Sequence, residues 1–122
     1  EELIDLYARL AKQFPIFSIE DGLSEFDQQN WSLLMDTLGD SVQIIGDDIF
    51  VSNPELIAHG IEHGLATGAI IKPNQVGTIT EALQSAKLCK EYDLTCIFSH
   101  RSAETNDTII VDLAVGASSG YI

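Results

Sequence analysis

Glu20 with Asp21, Asp47 with Asp48, Lys72, and the run Ser99, His100, Arg101 and Ser102 are the residues whose types could do chemistry together. Each follows a short apolar run, at residues 16–19, 42–45, 69–71 and 95–98. Carboxylates after two neighbouring runs offer hard oxygen ligands, which suit Mg²⁺ better than imidazole or thiolate would. A lysine one run further on can reach a substrate held by that metal, and burial beside other cations would make it a usable base. His100, Arg101 and Ser102 add hydrogen-bond donors, and the planar fork of Arg101 matches phosphate or carboxylate. A solvated loop charge explains any one of these positions, since charged residues usually lie outside cores, but it does not explain four in succession. The residues by themselves describe a metal-assisted site for an anionic substrate with a lysine base. They leave the reaction open.

The elements that must position these groups are legible in the spacing. The apolar runs begin near residues 16, 42, 69 and 95, at intervals of 26, 27 and 26. Helical patterns lie before and between them. Leu3, Leu6, Tyr7 and Leu10 draw a stripe that Pro15 stops; Trp31, Leu34, Met35 and Leu38 draw a second that Gly39 ends. Residues 52–55 read as a helix start, with Asn53 as cap and Pro54 in the first turn. Two more helices carry Ile79, Ala82, Leu83 and Ala86, and Ile110, Leu113, Ala114 and Ala117. Apolar runs alternating with amphipathic helices predict an α/β fold of parallel strands buried on both faces, either an open doubly wound sheet or a barrel. The chain begins in a helix and stops shortly after a fourth unit. It therefore reads as four consecutive strand-helix units, about half of a TIM-like barrel, which takes ~250 residues when complete. Residues 1–122 are expected to be one partial domain whose open sheet edges favour association. In either architecture the loops beyond the carboxyl ends of the strands converge on one mouth, where the ionisable residues stand.

Composition narrows the partners. A chain of 122 residues with 45% hydrophobic and 20% charged residues is a folded single domain, not a disordered one. Six basic against 19 acidic residues give 6 − 19 = −13, a charge that repels nucleic acid and anionic membrane surfaces. No apolar stretch reaches the ~18 to 20 residues of a membrane span, and the acidic, amphipathic N-terminus is unlike a signal peptide. Cys89 and Cys96 are too few to staple a domain of this size, which predicts a reducing, cytoplasmic setting. Glycosylation patterns at residues 30–32 and 106–108 would matter only in a secreted protein.

Two short motifs invite other readings. His59, Glu62 and His63 fit H-x-x-E-H, a zinc-peptidase pattern, but their helix starts well past a strand end, so they read as surface histidines facing away from the mouth. Gly46, Asp47 and Asp48 match the Gly-Asp-Asp of viral RNA polymerases, yet a helix follows where that site has a hairpin, and the net charge opposes a nucleic-acid substrate.

The flanked strand ends, "SIEDGL" at 18–23, "GDDIFVSNP" at 46–54, "IIKPNQVGTITEAL" at 70–83 and "SHRSAETNDTIIVDLAVG" at 99–116, closely resemble the enolase family in its bacterial style. The resemblance covers essentially the whole chain in one register and corresponds to the latter part of the C-terminal barrel domain. It implies reversible, Mg²⁺-dependent dehydration of 2-phosphoglycerate to phosphoenolpyruvate in glycolysis. Carried over by position, it implies Glu20 and Asp47 as metal ligands, Lys72 as general base, and His100, Arg101 and Ser102 as substrate contacts; Asp48 is expected to do no more than hydrogen-bond behind the ligands. It further implies that a third metal carboxylate, the general-acid glutamates, an N-terminal domain with a lid loop, the first barrel strands and a final segment lie outside these residues. A substrate lysine is expected just past Ile122, the isolated piece is expected to be inactive, and the complete enzyme is expected to be a homodimer or larger homo-oligomer, cytoplasmic with an additional surface or secreted pool in bacteria. Pro73 and Ala103 depart from the valine and glycine common at those positions, and neither removes a functional side chain; Pro73 is expected as the last residue of a barrel strand, which tolerates its fixed φ and missing N–H. A related acid-sugar dehydratase or racemase is the alternative within the superfamily, disfavoured by the His-Arg-Ser run. A non-catalytic fragment or binding form is the alternative outside it.

Overall fold

The structure, a computed structural model, describes residues 2–122. In chain order it contains α1 (Glu2–Gln13), β1 (Ser18–Glu20), α2 (Gln28–Leu38), β2 (Gln43–Gly46), α3 (Pro54–Glu62), β3 (Gly68–Ile71), α4 (Pro73–Val76), α5 (Ile79–Glu91), β4 (Thr95–Phe98) and α6 (Ile109–Gly116). The strands form one parallel sheet in the order β1-β2-β3-β4, with Ile19 beside Ile44, Ile45 beside Gly68 and Ala69 beside Cys96. Each strand lies beside its sequence neighbour. That order is the one a barrel requires, whereas a doubly wound sheet must reverse direction at a switch point. Tyr121 bridges Ile97 in the same parallel sense, so the chain's last residues extend the series beyond β4.

The helices start where their side chains can cap them. Asp27 accepts from the Asn30 N–H of α2, and Asn53 accepts from Glu55 and Leu56 of α3 with Pro54 in the first turn, as expected. Thr78 accepts from the Glu81 N–H of α5 and donates to the Glu81 carboxylate at 2.6 Å. The core between sheet and helices is built from Trp31, Leu34, Ile44, Ile57, Ile71 and Phe98 among others. Phe50 fills the gap between the end of β2 and α3, and a Cβ at either Gly46 or Gly60 would overlap its ring. None of the described helices is long and apolar enough to cross a membrane.

Three expectations change. First, α1 packs through Ile4, Tyr7, Ala8 and Ala11 and leaves Leu3 and Leu6 exposed. The helix carries two overlapping apolar stripes, and the one with the smaller residues can approach the core more closely. Similarly α5 buries Ala82, Ser85, Ala86 and Cys89 while Ile79 and Leu83 face outward. Second, only β2 and β3 are close to continuously buried; β1 alternates exposed and half-buried residues, and β4 is half-buried up to Phe98. Among the described residues β1 has a sheet neighbour on one side only, and β4 has β3 on one side and the single bridge to Tyr121 on the other. Third, Pro73 does not close β3 but opens the single turn of α4, where its fixed φ and missing N–H cost nothing.

Candidate active site

The carboxyl ends of the four strands gather the charged groups. Asp47 leaves β2 with its side chain buried; Oδ2 pairs with Lys72 Nζ, and Oδ1 is buried without a hydrogen-bond partner. A buried carboxylate oxygen left in that state costs free energy, unless a cation takes it up.

The backbone around this pair is fixed from three directions. Asp21, at φ 43°, accepts the N–H of Asp47 at 2.8 Å and that of Asp48 at 2.9 Å, one on each carboxylate oxygen. Its own N–H donates to Ile45 O at 3.0 Å, so the ends of β1 and β2 are clamped together. On the other side the Lys72 N–H donates to Ser52 Oγ at 2.7 Å, and that hydroxyl donates to Gln75 Oε1 at 2.8 Å. Ser85 of α5 donates to Ser52 O at 2.7 Å. Val51 and Ser52 hold φ of 43° and 59°, left-handed values that a β-branched valine rarely adopts. This turn is strained and fully tied down, which is how a short segment after Asp48 comes to hold the backbone of the lysine on the next strand.

Glu20 is exposed at the end of β1, yet its carboxyl sits above the usual glutamate value. Partial burial is the largest cause, followed by the negative charges of Asp47 and Asp21, with Lys72 acting in the opposite direction. A divalent cation would relieve that repulsion. Glu20 and the unpartnered Oδ1 of Asp47 are hard oxygen donors, the donor chemistry that suits Mg²⁺. Asp21, Asp47 and Asp48 approach one another closely enough to share an ion, and both oxygens of Asp21 in addition accept backbone N–H groups, by which it orients the start of the segment after β2.

Beyond β4, His100, Arg101 and Ser102 are exposed on the loop leading to α6. His100 lines a cleft of about 310 Å³ with Pro73, Asn74, Glu104 and Asp107, and the Asn74 amide donates to Glu104 across it. The cleft flanks the carboxylates instead of enclosing them. Lys72 and Asp47 are thus in direct contact, Glu20 is coupled to them electrostatically, and His100 stands beside the residues that follow Lys72. Arg101 forms no ion pair among the described residues.

Sequence reasoning missed Asp21, Ser52 and Ser85 as positioning residues. Asp21 was overshadowed by the carboxylate before it, and Ser52 by its place in a helix-start signal; a left-handed serine paired to a backbone N–H twenty residues away has no short-range signature.

His59, Glu62 and His63 lie on the outer helix layer, where the sequence placed them, and the Gly-Asp-Asp run leads through a turn into α3 with no hairpin. Residues 1–122, the whole chain, match the family model of the enolase C-terminal TIM barrel domain.

Proposed function

Because the chain belongs to the enolase C-terminal TIM barrel family, whose members are generally Mg²⁺-dependent enzymes acting on small molecules, we propose that it forms part of an enolase in the strict sense. The reaction proposed is reversible dehydration of 2-phosphoglycerate to phosphoenolpyruvate. The observation that carries the reading is the contact between Lys72 and Asp47, with the second Asp47 oxygen buried and unpartnered. One aspartate thereby links a base to a place for a cation. Glu20 and Asp47 would hold Mg²⁺, which when bound supplies positive charge against the negative charge that grows as an already anionic substrate loses a proton.

Within that frame the residues take distinct parts. Lys72 Nζ accepts the proton from C2 of the substrate, and the C3 hydroxyl then leaves as water with a proton from an acid contributed by residues outside this chain. Ser52 holds the Lys72 backbone and Asp21 holds the backbone of Asp47. His100, Arg101 and Ser102 bind the substrate's phosphate and carboxylate through charge-assisted hydrogen bonds. The chain would be the later half of the barrel, completed by an N-terminal domain, earlier strands and a final segment. The small number of cysteines, Cys89 and Cys96 alone, is the basis for proposing a cytoplasmic setting.

Lys72→Ala in the complete enzyme tests this. Net dehydration and exchange of the C2 proton with solvent should both fall by ~100 to 10,000-fold, while Mg²⁺ and substrate still bind. Arg101→Ala should instead raise KM and leave exchange proportional to occupancy. Retained C2 exchange at saturating substrate in the Lys72 variant would remove lysine from the role of base. Turnover of sugar acids in preference to 2-phosphoglycerate would transfer the chain to a related dehydratase.

A further inference from the structure

We propose that the end of α3 carries a second metal site, distinct from the strand-end carboxylates, in which His59, Glu62 and His63 bind a borderline transition-metal dication such as Zn²⁺. One potential ligand atom from each of the three residues lies within 4.8 Å of the others. Tetrahedral Zn²⁺ with bonds of about 2.0 to 2.2 Å needs ligand atoms ~3.3 Å apart, a gap that small rotamer changes of half-buried and exposed side chains can close. The two imidazole rings already face one another, with centroids 4.0 Å apart and planes tilted by 36°.

The hydrogen bonds prepare both rings. His63 Nδ1 lies 2.9 Å from the carbonyl of His59, which can only accept, so Nδ1 is the donor, and in the neutral ring Nε2 keeps its lone pair. His59 Nε2 lies 3.0 Å from Gln28 Oε1 of α2, an oxygen that also only accepts, so Nδ1 is left free. In its neutral form each imidazole is held by one nitrogen and presents the other, the arrangement by which protein carbonyls orient metal-binding histidines. The site also stands at the C-terminus of α3, where the helix dipole favours a cation, on a chain whose net charge is −13.

Its donors separate it chemically from the proposed Mg²⁺ site. Two imidazoles and one carboxylate suit Zn²⁺, Ni²⁺ or Cu²⁺, whereas the strand ends offer oxygen alone. No hydrolytic role follows from the resemblance to the peptidase pattern, because Glu62 is here a ligand and not a general base. The site would instead join α3 to α2 through Gln28 and stabilise the folded chain by mass action.

Zn²⁺ titration of the complete protein, by calorimetry in millimolar Mg²⁺, tests the proposal. One Zn²⁺ per chain should bind in the presence of Mg²⁺ and raise the unfolding temperature. His63→Ala and Glu62→Gln, both at exposed positions, should each weaken binding, by about 10-fold or more for the histidine. His100→Ala should leave the affinity unchanged. With Cu²⁺ as probe, the electron paramagnetic resonance spectrum should show two imidazole nitrogens, and one nitrogen in the His63 variant. Unchanged Zn²⁺ affinity in His63→Ala, loss of the site in His100→Ala, or full displacement by Mg²⁺ would overturn it. None of these results depends on the reaction catalysed.

Discussion

The two ends of the sheet solve the problem of buried polarity in opposite ways. At the amino end, Gln43 Oε1 accepts from Thr67 Oγ1 at 3.1 Å and from Thr95 Oγ1 at 2.9 Å, so neutral groups entering β2, β3 and β4 close a network among themselves. Thr67 Oγ1 also accepts the Ile44 N–H at 2.8 Å, which ties the network to the backbone ladder. At the carboxyl end, like charges crowd together, Asp47 keeps an unpartnered oxygen, and Asp21, Val51 and Ser52 hold left-handed backbone. The left-handed non-glycine residues elsewhere, Asp93 and Ser118, follow helix ends, where a short polar residue finishes the turn at little cost. The network at the amino end is neutral and closed, whereas the carboxyl end is charged and keeps an unpartnered oxygen. The groups proposed to react thus stand at the pole opposite the closed network.

Replacing Asp47 should separate the two ends most sharply. Asp47→Ala in the complete enzyme removes a proposed ligand and the partner of Lys72, so the Mg²⁺ concentration needed for half-maximal activity should rise by at least ~10-fold. The amino end should be indifferent. If the Mg²⁺ requirement is unmoved, Asp48 is the ligand and the assignment is displaced by one residue.

The converse experiment is Gln43→Ala. Two threonine hydroxyls lose their shared acceptor in a half-buried position, which should cost about 1 to 3 kcal/mol of stability, read from chemical or thermal unfolding. Turnover per folded molecule and the Mg²⁺ requirement should not change. A variant as stable as the parent would show that water replaces the amide, and a variant with altered Mg²⁺ dependence would show that the two ends are coupled.

The same division governs what could be read in the sequence. The strand-helix period, the capping of α3 and the charged strand ends follow from residue types at short range, so four parallel strands alternating with helices were legible. The spacing alone fits both a barrel and a doubly wound sheet, because strand order is a property of pairing between residues about 26 apart; the barrel reading draws also on the family resemblance, and the observed order agrees with it. Which face of α1 packs was also hidden, since Leu3 and Ile4 are equally apolar and only the neighbouring surface decides between them. Likewise Asp47 and Lys72 were visible as candidates, while the residues that aim them were not: Asp21 and Ser52 act by accepting backbone N–H groups from other segments, a role any carboxylate or hydroxyl could fill.

The smallest expected effect is also the most specific to the charged end. The carboxyl of Glu20 is held above its usual value by burial and by its acidic neighbours, so the folded chain binds a proton more tightly there than the unfolded chain does. Between the ordinary glutamate value of 4.5 and the raised folded value, the folded state carries more protons, and stability falls as pH rises through that window. Near neutral pH the Glu20 charge therefore opposes folding of the metal-free protein. Glu20→Gln should raise the unfolding temperature slightly in EDTA at neutral pH, and the gain should shrink toward zero as acid protonates Glu20 in the parent. Saturating Mg²⁺ should reverse the order, because the cation stabilises the carboxylate and finds only an amide in the variant. Unfolding temperatures of both proteins across pH, with EDTA and with Mg²⁺, read the sign directly. A variant less stable than the parent in EDTA at neutral pH would mean that Glu20 is held favourably by Lys72 and is no part of a repulsive cluster waiting for a cation.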